Sequence, residues 1–209
     1  MIYVEMEGLH KIEFDLGMLR NKSGMTLRSA INETAKTVNR GMIDGTHKKY
    51  VYKKKSDIGN ANKIKKAKVS NLEAKISVVG TATDLLDFRV SPSVYFPGSS
   101  GAPEWFQART KRSEPFRRMA LRPNAAGDKY KAFIIRYRSD HYALAQRVPG
   151  RKMEKKPWKE AVKSLFYSSL PKMESFAYDE YLEGKVEGIL AVNIQQQVQK
   201  VLRNKGAKR

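Results

Sequence analysis

HKKYVYKKKSDIGNANKIKKAKVSNLEAKISVVGTATDLLDFRVSP, residues 47–92, is the stretch whose reading decides the fold. Between Lys48 and Lys68 it holds nine lysines and a single acid, Asp57. It then passes into an alternating segment, residues 72–79, in which Ala74, Ile76 and Val78 share one face. Alternation of this kind predicts a half-buried strand. Residues 64–69 alternate with lysines in the same way, so Ser70-Asn71 is read as the turn of an antiparallel pair, and Ser56 as the cap of one helical turn before it. Phe88 to Ser91 adds a short strand ended by Pro92. A strand pair with a dense cationic lead-in implies an anionic neighbour or a solvated face.

Upstream, Leu27, Ile31, Thr34, Ala35, Val38 and Met42 recur every three or four residues and predict an amphipathic helix over 24–49. Ser23 or Thr26 is the candidate cap, and Gly41 and Gly45 are expected to loosen the end. Before it, residues 2–16 alternate loosely and read as two short strands around Gly8.

Downstream, residues 93–130 are rich in proline, glycine and arginine, and read as an extended basic arm in which 119–122 pair briefly. Trp105, Phe106 and Phe116 sit there among Arg109, Lys111, Arg112, Arg117 and Arg118. Aromatics beside arginines suit stacking on bases or anchoring in a neighbouring subunit; the alternative is that they tuck the loop onto its own domain. Residues 131–150 read as a hairpin turning at Ser139-Asp140, with His141 a turn residue. Residues 149–157 read as a basic linker, 158–170 as a helix opened by Pro157 and stopped by Pro171, and 181–203 as one long closing helix, the C-terminal helices together spanning 157–204.

The net charge of +20 is concentrated in the middle of the chain. Residues 1–46 hold six basic and six acidic side chains, residues 173–209 six and five, and residues 47–172 hold 29 and ten. The ends are balanced like packed helices, whereas the middle builds a positive field suited to nucleic acid or an acidic protein surface. Lys53, Lys54, Lys55, Lys63, Lys65, Lys66 and Lys68 are the candidate contacts.

Cysteine is absent, which excludes disulfides and thiolate metal sites. The three histidines, His10, His47 and His141, lack ligand spacing, and no Walker loop, GxGxxG or GxSxG is present. No cofactor, no metal and no enzymatic activity are expected. The acidic start does not read as a secretory signal, and no window approaches the roughly 18 apolar residues of a membrane span. One enzymatic pattern competes: Glu73 and Lys75 on one strand face, with Asp57 upstream, resemble the ExK half of a metal-dependent nuclease site, although alternation alone produces such a face and the PD dipeptide is missing.

The order of these features resembles the minor tail protein Z family of long-tailed bacteriophages, tail completion proteins related in fold to siphophage head-tail connector and tail-component proteins. The resemblance spans residues 26–202. It is carried by the lysine-rich segment leading to Lys68, by Asp87-Phe88-Arg89-Val90, and by the Ser139-Asp140-His141 turn followed by Arg147. The family often has glycine at the position of Asp140, and Gly-Pro-Ser where this chain reads Tyr167-Ser168-Ser169; aspartate and serine keep turn chemistry available.

The resemblance implies a non-enzymatic virion protein at the head-proximal neck of the tail, assembled in the host cytoplasm. Its implied partners are further copies of itself in a ring, the tail terminator, the head connector, and double-stranded DNA held through phosphates, with no membrane. Such rings close by rotation of head-to-tail contacts. On this reading the arm docks on a neighbour, and Lys53 to Lys68 face DNA or a wet channel. The rival reading is a free-standing, non-specific nucleic-acid-binding protein. The fold expected from both is one α+β domain, 1–209: an antiparallel sheet from 50–92 and 119–148, packed against the N-terminal amphipathic helix and C-terminal helices, with a long basic loop or arm.

Overall fold

The structure, a computed structural model, describes residues 22–97, 101–119 and 131–206. The strands read from residues 2–16, and residues 120–122 of the pairing read at 119–122, lie outside these. The fold is α+β, with a helix near the start of the described chain, helices at its end, and antiparallel strand pairs between them. Among the described residues the strands form four small sheets of two or three strands rather than one. The chain also divides into two compact units where the sequence suggests a single domain. Among the described residues, one comprises 22–46, 56–79 and 170–206, and the other 47–55, 80–97, 101–119 and 131–169.

The first unit is built on helix α1, Ser23–Lys49. All six residues of the expected apolar stripe are buried, joined by Thr26 and Ala30. Thr26 does not cap the helix. Both its N–H, at 3.0 Å, and its hydroxyl, at 2.9 Å, donate to the Lys22 carbonyl, which places it inside the first turn. After the short helix α2, Lys55–Asn60, come strands β1, Asn62–Lys65, and β2, Lys75–Val78, paired in register Asn62 to Val78 and Lys65 to Lys75. Period two turns Ile64 and Ile76 inward and Lys63 outward. The face expected from Ala74, Ile76 and Val78 is the one that packs.

Helix α3, Leu170–Tyr181, and helix α4, Val186–Gly206, complete this unit. The single closing helix expected beyond residue 181 is interrupted at Gly184, which takes φ +74°. Pro171 stands in the first turn of α3, where it has no intrahelical N–H to lose, and so it opens a helix instead of ending one. Leu27, Ala30 and Ile31 pack with Ala67, Leu190 and Ile194; Val38 and Met42 pack with Ile76, Leu182 and Val186. Each of the buried leucines, isoleucines, valines and Met42 contributes about 1.5–3 kcal/mol by leaving water. Polar clamps fix the layers. Asn32 donates to the Ala67 carbonyl at 3.2 Å and accepts the Ala67 N–H at 2.7 Å. Asn193 donates to Thr34 Oγ1 at 2.9 Å.

The second unit begins where α1 ends. Tyr50 and Tyr52 are buried in an edge-to-face aromatic group: Tyr52 meets Phe88 at 5.3 Å, Phe88 meets Tyr167 at 5.1 Å, and Tyr167 meets Tyr50 at 6.2 Å. Strand β3, Ala82–Asp84, leads into a 3-10 turn, Leu85–Asp87, capped by Asp84, whose carboxylate accepts the Leu86 N–H at 2.9 Å. Strands β4, Arg89–Ser91, β5, Gln107–Arg109, and β6, Arg117–Arg118, form one antiparallel sheet. The third strand thus ends just before the pairing expected at 119–122.

Strands β7, Ala132–Arg136, β8, Tyr142–Met153, and β9, Lys156–Ser164, form another sheet, and β10, Phe166–Ser169, returns to pair with β3. The expected hairpin turn is present, with Asp140 at φ +58°. The basic linker and the helix expected over 149–170 are absent. Residues 149–164 belong instead to the two strands of a long hairpin joined at Glu154-Lys155. Pro157 is tolerated because β9 is an edge strand, where a missing N–H breaks no second ladder.

Candidate basic interface

The candidate lysines fall in both compact units. Lys53, Lys54 and Lys55 follow Tyr52 in the second unit and are exposed. Lys63, Lys65, Lys66 and Lys68 belong to the first unit and are exposed as well. There, alternation sets Lys63 and Lys65 on the outer face of β1, and pairing places Lys65 opposite Lys75. The same alternation that turns the half-buried Ile64 and the buried Ile76 inward therefore creates a cationic surface on the other side of the ribbon. The run is one feature in sequence and two features in the fold.

The candidate arm, residues 93–130, is structured over much of its described length. Phe106 is 2% exposed and meets Phe96 at 6.3 Å, so this ring is core and is not free to dock on another subunit. Its neighbour Trp105 lies beneath the Arg118 guanidinium at 5.7 Å and the Lys131 ammonium at 5.5 Å, and donates Nε1–H to Glu104 at 3.1 Å. Arg109 donates to the carbonyls of Lys111 and Arg112, and Arg112 donates Nε–H to the His47 carbonyl. Lys111 Nζ reaches Glu114 at 3.0 Å, and this hydrogen bond raises the lysine and lowers the carboxyl from their ordinary values. Arg117 approaches Glu114 at 4.0 Å. Most of these cations therefore hold their own loop. Phe116, 37% exposed, and the outer faces of Arg117 and Arg118 are the parts available to a neighbour.

Two features escaped the sequence reading. The distal half of the β8–β9 hairpin carries Arg151, Lys152, Lys155, Lys156 and Lys159, all exposed, together with Trp158 at 73% exposure. The signal was two cation pairs, Arg151-Lys152 and Lys155-Lys156, close to a two-residue turn, masked by Pro149 and Pro157. The second is Glu174, on α3, which is fully buried and receives the Asn62 amide at 2.7 Å. Burial pushes its carboxyl up to about 7, against the pull of that hydrogen bond.

The nuclease pattern does not gather into a site. Glu73 is exposed and precedes β2, and among the described residues no three of the histidines and acids are grouped to hold a metal ion. No helix among the described residues is long and apolar enough to cross a membrane. Comparison with protein-family models, with curated proteins and with solved structures finds no match. The described residues thus form an α+β protein with exposed cationic side chains in both compact units.

Proposed function

We propose that this chain is a structural tail completion protein of a long-tailed bacteriophage, acting at the head-proximal end of the tail to join it to the head. The observation that carries the reading is at Asp140. The family that the sequence resembles often has glycine there, and the backbone of this chain takes φ +58° at that residue, a conformation that favours glycine and that aspartate tolerates. A backbone that glycine adopts readily, at a position where the resembled family often has glycine, is what supports the reading.

On this reading the protein works by contact and not by chemistry. Copies of the chain assemble in the host cytoplasm as a ring between tail terminator and head connector. Phe116, Arg117 and Arg118 serve neighbour docking, in which charge steers approach and an apolar ring anchors it. The exposed lysines at positions 53–55 and on β1 face the anionic wall or contents of the passage. Deleting the gene from its phage genome tests this. Electron microscopy of the lysate should show filled heads and finished tails that fail to join, or joined particles that do not deliver DNA. Normal, infectious virions would remove the neck role and leave the basic-binder reading first.

A further inference from the structure

Strand β7 pairs with β8 only as far as Gln146, opposite Ala132; beyond this, β8 and β9 continue as a two-stranded ribbon, with Lys152 opposite Glu160 and Met153 opposite Lys156. The change in environment is abrupt. Residues 143–146 are all buried, whereas residues 150–159 are all exposed. Since successive residues of a strand point to opposite faces, the ribbon is bare on both sides. Gly150, at φ +70°, lies in the register shift between Arg147 and Lys152, and a Cβ built there meets nothing within 4 Å, so glycine is required by backbone conformation and not by space. A two-stranded ribbon alone is marginal in water, and this one leaves Trp158 73% exposed and Met153 37% exposed.

Charge says what covers it. Residues 147–163 hold seven cations, Arg147, Arg151, Lys152, Lys155, Lys156, Lys159 and Lys163, against two acids, Glu154 and Glu160. Neighbouring strand cations such as Arg151 and Lys152 project to opposite faces, and Lys155 stands at the tip in the turn. A flat acidic protein surface would satisfy one face only. The major groove of duplex DNA is about 12 Å wide, admits a two-stranded ribbon, and lines both flanks with phosphates. We propose that the β8–β9 ribbon is a double-stranded DNA-binding arm, its cations on phosphates and Trp158 against the groove wall. This site is made of other residues than the lysines at 53–68 and does not depend on the tail-protein reading.

The test is fluorescence anisotropy of a labelled mixed-sequence duplex of about 24 base pairs with the full chain, at salt between about 50 and 200 mM. Replacing Lys152, Lys155, Lys156 and Lys159 by glutamate should weaken binding at least about tenfold and reduce the slope of log affinity against log salt by roughly 3 to 4. The equal reversal of Lys63, Lys65, Lys66 and Lys68 should cost clearly less. In a Trp105→Phe background, which leaves the ribbon intact, duplex should quench the emission of Trp158. Equal losses from the two reversals, or an unquenched Trp158, would overturn the proposal. Tighter binding to poly-glutamate than to duplex would assign the ribbon to an acidic protein instead.

Discussion

Asn62, at the start of β1, donates its side-chain amide to the buried carboxylate of Glu174 on α3 at 2.7 Å, and a second hydrogen of the same amide goes to Asn39 Oδ1 on α1 at 2.9 Å. Three elements of the first compact unit thus meet at one polar point. Glu174 Oε1 and Asn62 Oδ1 are buried there without a hydrogen-bond partner. Two orphaned acceptors lack a donor, and a proton on Glu174 supplies one.

The consequence is a stability that depends on pH. The folded carboxyl titrates at about 7 against 4.5 for an unperturbed one, so the folded state holds a proton that the unfolded state has lost over that interval. Stability therefore falls as pH rises from about 4.5 to about 7 and is flat on either side, a total on the order of 3 kcal/mol. Glu174→Gln should remove this dependence, raising the melting temperature at pH 8 and leaving it nearly unchanged at pH 4.5. Thermal melts of both proteins across pH check it.

Gly45 of α1 is set by approach and not by turn chemistry. The sequence reading took Gly41 and Gly45 to loosen the helix end, yet α1 runs through both to Lys49. A Cβ on Gly45 would stand 2.7 Å from Tyr181 Cδ2 and 3.3 Å from Ala177 Cβ, and one on Gly41 2.8 Å from Leu182 Cδ2. Gly45→Val should cost about 1–3 kcal/mol by overpacking. Gly188→Ala on α4, where a Cβ meets nothing within 4 Å, should stabilise by up to about 1 kcal/mol through helix propensity. Urea titration of the two variants separates the effects.

Asp140 should tolerate glycine and reject a branched side chain. Its left-handed backbone is ordinary for glycine and costs a β-branched residue about 1–2 kcal/mol. The Arg136–Asp140 contact at 2.7 Å is exposed and contributes little. Denaturant midpoints should place Asp140→Gly within about 0.5 kcal/mol of the parent and Asp140→Val clearly below it.

Phe106 and Phe116 should part company. Phe106→Ala empties a site that is 2% exposed and should cost about 3–5 kcal/mol. Phe116→Ala should change stability by less than about 0.5 kcal/mol yet impair assembly in a phage complementation assay. A Phe116→Ala variant that complements fully would remove this ring from the docking surface.

What could be read in the sequence was whatever one period and one wet face encode. Leu27 to Met42 recur at helical spacing because one side of α1 is buried, and Ala74, Ile76 and Val78 alternate because one side of the β1–β2 pair is. The β8–β9 ribbon has no such signal. With both faces in water, nothing alternates, and Pro157 resembles a helix start as readily as an edge-strand residue. The division into two units was hidden because the chain enters and leaves each one more than once, so no linker marks a boundary. Lysine density announced the basic character of residues 53–68, but composition does not say that Tyr52 and Ile58 send its two ends into different units. Phe106 and Phe116 sit in similar arginine-rich surroundings in sequence, and only packing separates core from surface. Glu174 is one acid in a helical segment, and its burial follows from what β1 and α1 bring to it.

The central claim is a place in the virion, and gold labelling of an epitope-tagged chain in purified phage addresses it directly. The account predicts label confined to the junction between head and tail in electron micrographs. Label elsewhere on the particle, or none in purified infectious virions, would contradict it.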